Sequence, residues 1–170
     1  MNGQVIGKTM SNGFAGSYSR QPDMIVDSHT AGSEISFGAP VVYNNNKVVS
    51  AETLTASTFT ASKFVGVSVR EVKSALDYLN QNEGKYYLNE IAPIMKRGRM
   101  NVKCQRGTAA LNGDVYVRVA ENASYPTAKV GGFEASSDST NTVKLDNVKW
   151  RGAADGNGIA EISILTQNNA

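Results

Sequence analysis

The sequence predicts an all-β protein: a single β-sandwich, jelly-roll-like or small barrel domain with an extended N-terminal arm and at most a short helix. Three observations carry this expectation. Between Asn89 and Val119 apolar and polar residues alternate with a period of two, which sorts them onto opposite faces of a strand. Glycine occurs 16 times and clusters with Asn and Asp between the apolar runs, as tight turns require. The whole chain breaks into roughly eight to ten such short runs, the spacing of sandwiches and barrels.

The central stretch organises the rest. An apolar run, Ile91 to Met95, meets a predicted turn at Lys96-Arg97-Gly98-Arg99. Met100, Val102 and Cys104 then alternate with Asn101, Lys103 and Gln105. A second turn is expected at Arg106-Gly107 or at Leu111-Asn112-Gly113-Asp114, where Asn-Gly accepts positive φ. Val115, Val117 and Val119 follow, alternating with Tyr116 and Arg118. The reading is a meander with one apolar face to cover and one polar, basic face free to meet a partner.

The remaining elements follow in order. Residues 1–26 are rich in Gly, Ser and Asn but carry Phe14, Tyr18, Met24, Ile25 and Val26 at intervals. Such a segment cannot build a core. It is either an extended arm that orders against a partner or a loose terminus, and the β-rich domain is expected over 27–170. Asp27 to Val49 reads as a hairpin, with a bend at Gly38-Ala39-Pro40 and a turn at Asn44-Asn45-Asn46. Ser50 to Ser62 is a loop or weak edge strand. Phe64 to Val69 is a strand. Val69, Val72, Leu76 and Leu79 have helical spacing, so 70–84 holds either a short helix or a loop. Val143, Leu145 and Val148 lead to Trp150, which serves as a core plug or as a partner anchor. Gly158 to Leu165 is the last strand, with Ala160, Ile162 and Ile164 on one face.

Charge and chemistry narrow the function classes. The net charge is +2, which gives no support to nucleic-acid binding by the whole chain. Phe64 to Gly107 holds eight Lys/Arg against four Asp/Glu, and Thr108 to Ala170 five against seven. That distribution suits contacts between copies or with an oppositely charged partner. The single cysteine, Cys104, is in phase with Met100 and Val102 and reads as a small buried hydrophobe. No apolar leader follows Met1 and no run reaches the length of a membrane helix, so synthesis in a reducing cytoplasm and no membrane partner are expected. Gly7-Lys8-Thr9 lacks the upstream glycine and strand of a phosphate loop. His29, the one histidine, has no sequence partner for catalysis. Asp155-Gly156-Asn157-Gly158 resembles a fragment of a calcium loop without its closing ligands. No catalytic, cofactor-binding or metal site is expected. Carboxylate pairs converging across strands, as in glycoside cleavage or cell-wall hydrolysis, are the enzymatic alternative.

Four stretches together resemble a known family. Phe14-Ala15-Gly16-Ser17, with Arg20, Pro22-Asp23 and Ile35-Ser36-Phe37-Gly38-Ala39-Pro40-Val41, is similar to the opening of structural cement proteins of tailed bacteriophages. Phe64 to Val72 resembles their central strand, and Tyr86-Tyr87-Leu88-Asn89-Glu90 running into Arg97-Gly98 the segment that follows it. Trp150-Arg151-Gly152-Ala153-Ala154-Asp155-Gly156-Asn157-Gly158-Ile159-Ala160 resembles their closing motif. The resemblance implies a capsid decoration protein of the virion, made in the host cytoplasm. It would bind the exterior of the shell built by the major capsid protein and bridge capsomers, as a homodimer or homotrimer, without catalysis or cofactor. Phe14, Tyr18, Arg20, Lys96, Arg97, Arg99 and Trp150 are the candidate partner contacts. The alternative is a carbohydrate-binding or adhesin-like β module, with Trp150, Tyr86 and Tyr87 as stacking platforms.

Overall fold

The computed structural model describes residues 10–54, 58–71 and 83–166. Among them the chain forms β1 (Tyr18–Thr30), β2 (Ile35–Ser36), β3 (Pro40–Asn44), β4 (Lys47–Ser50), β5 (Phe64–Ser68), β6 (Lys85–Tyr86), β7 (Ile91–Arg106), β8 (Asp114–Arg118), β9 (Phe133–Glu134), β10 (Thr142–Trp150) and β11 (Ile159–Ile164). The helical pieces among the described residues are single 3₁₀ turns, such as Ala51–Thr53. The fold is all-β, as the alternation predicts. The choice between helix and loop at 70–84 falls largely on residues outside those described.

Strand β7 is the shared member of two lobes. Its C-terminal half pairs with β11, and the order continues through β10, β8 and β9 back to β7, closing a barrel. Its N-terminal half pairs with β1 on one side and β5 on the other, with β3 and β4 beyond β5. A 16-residue strand can serve both because its side chains alternate within each half. Met100, Val102, Val117, Leu145, Trp150 and Ile162 fill the barrel core. Ile35, Val41, Val65, Tyr86 and Ile94 fill a smaller cluster in the other lobe. Each large apolar side chain so buried contributes about 1.5–3 kcal/mol.

Two features of the predicted meander differ. Lys96–Arg99 is not a turn: β7 runs through it as one strand, bulged at Gly98 (φ +128°). Opposite the bulge β1 slips, so that Arg20 faces Arg99 while Ile25 already faces Arg97. A Cβ on Gly98 would lie 2.9 Å from Met24 Cβ and 3.1 Å from the Asp23 carbonyl oxygen. Glycine therefore signals close backbone approach here rather than reversal. Nor do β7 and β8 pair with each other. β9 lies between them, parallel to β7 and antiparallel to β8. Phe133 and Glu134 supply that strand from a loop-rich stretch whose two-residue length leaves no period to read.

Elsewhere local chemistry and structure agree. β3 and β4 form the expected hairpin, with Asn45 and Asn46 both at positive φ (48° and 63°), the backbone twist that a two-residue hairpin loop needs. All five residues of β5 are buried, because it lies between two strands and has neighbours on both faces.

The N-terminal segment is bound to its own chain from Asn12 onward. The Gly16 amide donates to the Asn101 carbonyl at 2.8 Å, and the Asn101 amide to Ser17 at 3.0 Å. Gly16 packs directly on Gly38: a Cβ on either would come within 2.8 Å of the other's amide nitrogen. Two of the stretches that carry the family resemblance thus touch at one point. The Asp155 carboxylate accepts from the amides of Asn157, Ile159 and Asn12 at 2.8–2.9 Å, so its turn ties the closing motif to the start of the chain. Strand β1 runs through the expected arm boundary between Val26 and Asp27.

Candidate functional site

The slip in β1 builds a groove. The residues between Arg20 and Ile25, where the register slips, pass close over Gly98, and Arg20 to Asp23 form one wall. The end of β11 and Arg151 form the other. The groove has a volume of about 450 Å³. Arg20, Asp23, Arg97, Arg99, Arg151 and Leu165 line it. Arg20 Nε lies 3.3 Å from Glu161 Oε1, and Arg99 Nη1 lies 3.6 Å from the same oxygen. Arg97 reaches both Asp23 oxygens at 3.2 Å. The arginine side chains here are 66%, 45% and 41% exposed for Arg20, Arg97 and Arg99. These are surface ion pairs, each worth less than about 1 kcal/mol.

The structure brings Arg20, Arg97 and Arg99 together and separates Lys96 from them. Alternation along β7 turns Lys96 to the opposite face, where its Nζ is 2.7 Å from Asp27 Oδ2 and 5.5 Å from the centre of the Tyr43 ring. The Lys96 hydrogen bond holds the Asp27 carboxyl below its ordinary range. His29 stacks edge-on against Tyr43, with Nε2 3.3 Å from the hydroxyl oxygen. Burial, helped by Lys96, lowers the His29 pKa. The group is a packed side-chain cluster on one lobe.

Phe14 and Tyr18 lie outside the groove, beside Arg70 and Glu71. Phe14 is 64% exposed, and the Arg70 guanidinium lies 4.5 Å from its ring centre. Tyr18 donates to the Glu71 carboxylate, and burial followed by that bond raises its pKa. Trp150 is completely buried in the barrel core. Of its two readings the structure shows the core plug, and the side chain has no surface to offer a partner in this fold. Tyr86 is also buried; it donates to the Val69 carbonyl at 2.7 Å, and burial pushes its pKa up to about 12. Two of the three aromatic platforms of the carbohydrate reading are therefore core residues.

Sequence reasoning missed two things. Arg118, expected on the free basic face, is fully buried. Its guanidinium bonds both oxygens of the equally buried Glu134, and its Nη2 lies 2.9 Å from Asp138 Oδ2. Arg106 bonds the same Glu134 at 2.6 Å and the Ser136 carbonyl at 2.6 Å. Burial disfavours the charged Arg118, but the hydrogen bonds to Glu134 and Asp138 outweigh it and its pKa rises. The second omission is Arg151, which the sequence shows only as a flank of Trp150. Strand pairing, which no local pattern shows, places it at the groove: the Arg151 amide donates to the Glu161 carbonyl at 2.8 Å.

Among the described residues no group of three or more His, Cys, Asp or Glu is arranged to hold a metal, and no helix is long and apolar enough to cross a membrane. Cys104 is buried, which raises its thiol pKa.

Residues 2–165 match the family described as structural cement protein (E217 gp24/Pam3 gp6). No curated protein matches the chain. Among solved structures, a chain from "The capsid of Myoviridae Phage XM1" is similar, with a TM-score of 0.64 and 18% identity over 96% of this chain and 98% of that one. That likeness concerns the fold. The family match spans nearly the whole sequence, and with it the chain belongs to the phage structural cement protein family and is a structural protein of the virion capsid.

Proposed function

We propose that this protein binds the outer surface of the shell formed by the major capsid protein and bridges neighbouring capsomers, performing no reaction and holding no cofactor. The observation that carries the reading is the face where β1 meets β7. Among the described residues β1 pairs with β7 alone, so a 13-residue strand keeps one edge open beside the arginine groove. An open edge is a template for another chain, and the guanidiniums next to it give orientation and speed of encounter. Behind that face, the closed barrel supplies a stiff body. Residues 1–26 act as an extended contact segment through the exposed Phe14 and the open edge of β1, laid on a neighbouring chain. Several weak contacts presented by a homodimer or homotrimer add through effective concentration.

The test is to add the purified protein to expanded shells that lack it and follow their rupture on heating. The expected result is stoichiometric uptake and a higher rupture temperature. Shells that take up no protein, or that take it up and rupture as before, would refute the reading.

A further inference from the structure

The arginine groove holds four guanidiniums and two carboxylates, and both Arg151 Nε and Glu161 Oε1 are buried there without a hydrogen bond among the described residues. Glu161 is shared between Arg20 and Arg99, and Asp23 is held by Arg97. Arg151 forms no ion pair among the described residues, and its Nε is buried with no hydrogen-bond partner there. A buried guanidinium N–H left unmade carries a desolvation penalty. Four guanidiniums against two carboxylates leave a surplus of two positive charges at one place, equal to the net charge of +2 of the entire chain.

We propose that the groove between Arg20, Arg97, Arg99 and Arg151 is a carboxylate-binding cleft that takes an acidic segment of the shell subunit, with Arg151 pairing the incoming side chain. This rests on the capsid-binding reading given above and names the chemistry of the partner. A planar guanidinium matches a carboxylate through two parallel hydrogen bonds. Leu165, 42% exposed on the rim, gives an apolar neighbour of that carboxylate a place to pack. A nucleic-acid backbone fits poorly: its successive phosphates would pass Asp23 and Glu161, and the rest of the surface carries no net positive charge to hold them.

The experiment compares the native protein with Arg151→Gln, and with Lys129→Gln as a cationic control away from the groove. Two readouts are taken: anisotropy of a labelled peptide of alternating Glu and Gly, and occupancy of shells at limiting protein. Melting of each variant checks the fold. Expected are binding of the Glu peptide but not of its Gln counterpart, and displacement of shell-bound protein by the Glu peptide. Arg151→Gln should lose about tenfold in both affinities, as expected when one partner of a charge pair is truncated, with melting and Lys129→Gln unchanged. Arg151→Gln occupying shells as fully as the native protein would overturn the cleft while leaving capsid binding intact. Equal binding of a single-stranded oligonucleotide through Arg151 would overturn the carboxylate assignment. Loss of a solution dimer in Arg151→Gln would assign the groove to a second copy and overturn the shell segment. Native protein that binds the Glu peptide but no shell would defeat the capsid reading itself, and with it the shell as the source of the segment.

Discussion

Glu134 and Glu161 are each flanked by two arginines, yet the two clusters behave as opposites. Glu134 and Arg118 are fully buried, and the bonds to Arg118 and Arg106 are short. Glu161 faces arginines that are largely exposed, at 3.3 and 3.6 Å. The first cluster sits where the two-residue strand β9 joins β7 to β8. Gly132 and Gly131 bracket it with backbone bonds to Arg118 at 3.0 and 2.8 Å. It ties the short seam that β9 makes between β7 and β8. The second cluster sits beside the open edge of β1, where no strand demands it. The same residue types therefore make a strut where water is excluded and a reactive surface where it is not. Burial, rather than composition, separates the two roles.

The largest expected effect breaks the strut. Glu134→Gln leaves Arg118 and Arg106 without their shared counter-charge and should cost about 3–5 kcal/mol, read as a fall in melting temperature or denaturant midpoint. A loss under about 1 kcal/mol, the value of an exposed pair, would erase the distinction between the clusters. Acid sharpens the comparison. The Asn122 side chain, followed by Arg118, holds the Asp138 carboxyl below its ordinary range. A depressed folded pKa means stability that is complete above the unfolded value of about 3.9 and is lost as pH falls through the folded one. The melting gap between the native protein and Asp138→Asn should thus be widest near neutrality and close below about pH 4. A gap constant with pH would mean that the charge of Asp138 does not contribute. The smallest effect on stability is expected at the groove: Arg20→Gln should shift unfolding by less than about 1 kcal/mol while weakening shell uptake, increasingly so at low salt. Unchanged uptake at all salt concentrations would remove Arg20 from the interface.

Much of this was legible in the chain. Period-two alternation marks the C-terminal half of β7, β8 and β11, and Asn44-Asn45-Asn46 marks the turn of the β3–β4 hairpin. The same alternation misplaced Arg118, because it assigns every polar residue to the outer face and cannot see that β9 brings Glu134 to cover it. Gly98 among basic residues looked like a turn, since a glycine that ends a strand and one that lets a neighbouring backbone approach leave the same letter. Arg20, Arg97 and Arg99 were identified as surface cations from charge and family likeness. Their convergence, and the addition of Arg151, depend on a pairing between β11 and β7 across about sixty residues of sequence, which no local pattern encodes.

A density map of shells reconstituted with this protein, at side-chain resolution, would test the division of roles most directly. The open edge of β1, with Arg20, Arg97 and Arg99, should lie against shell subunits, and the Arg106–Glu134–Arg118 seam should stay within the body of the barrel. A map in which those three arginines face solvent, while the shell grips the barrel at Arg106, would contradict it.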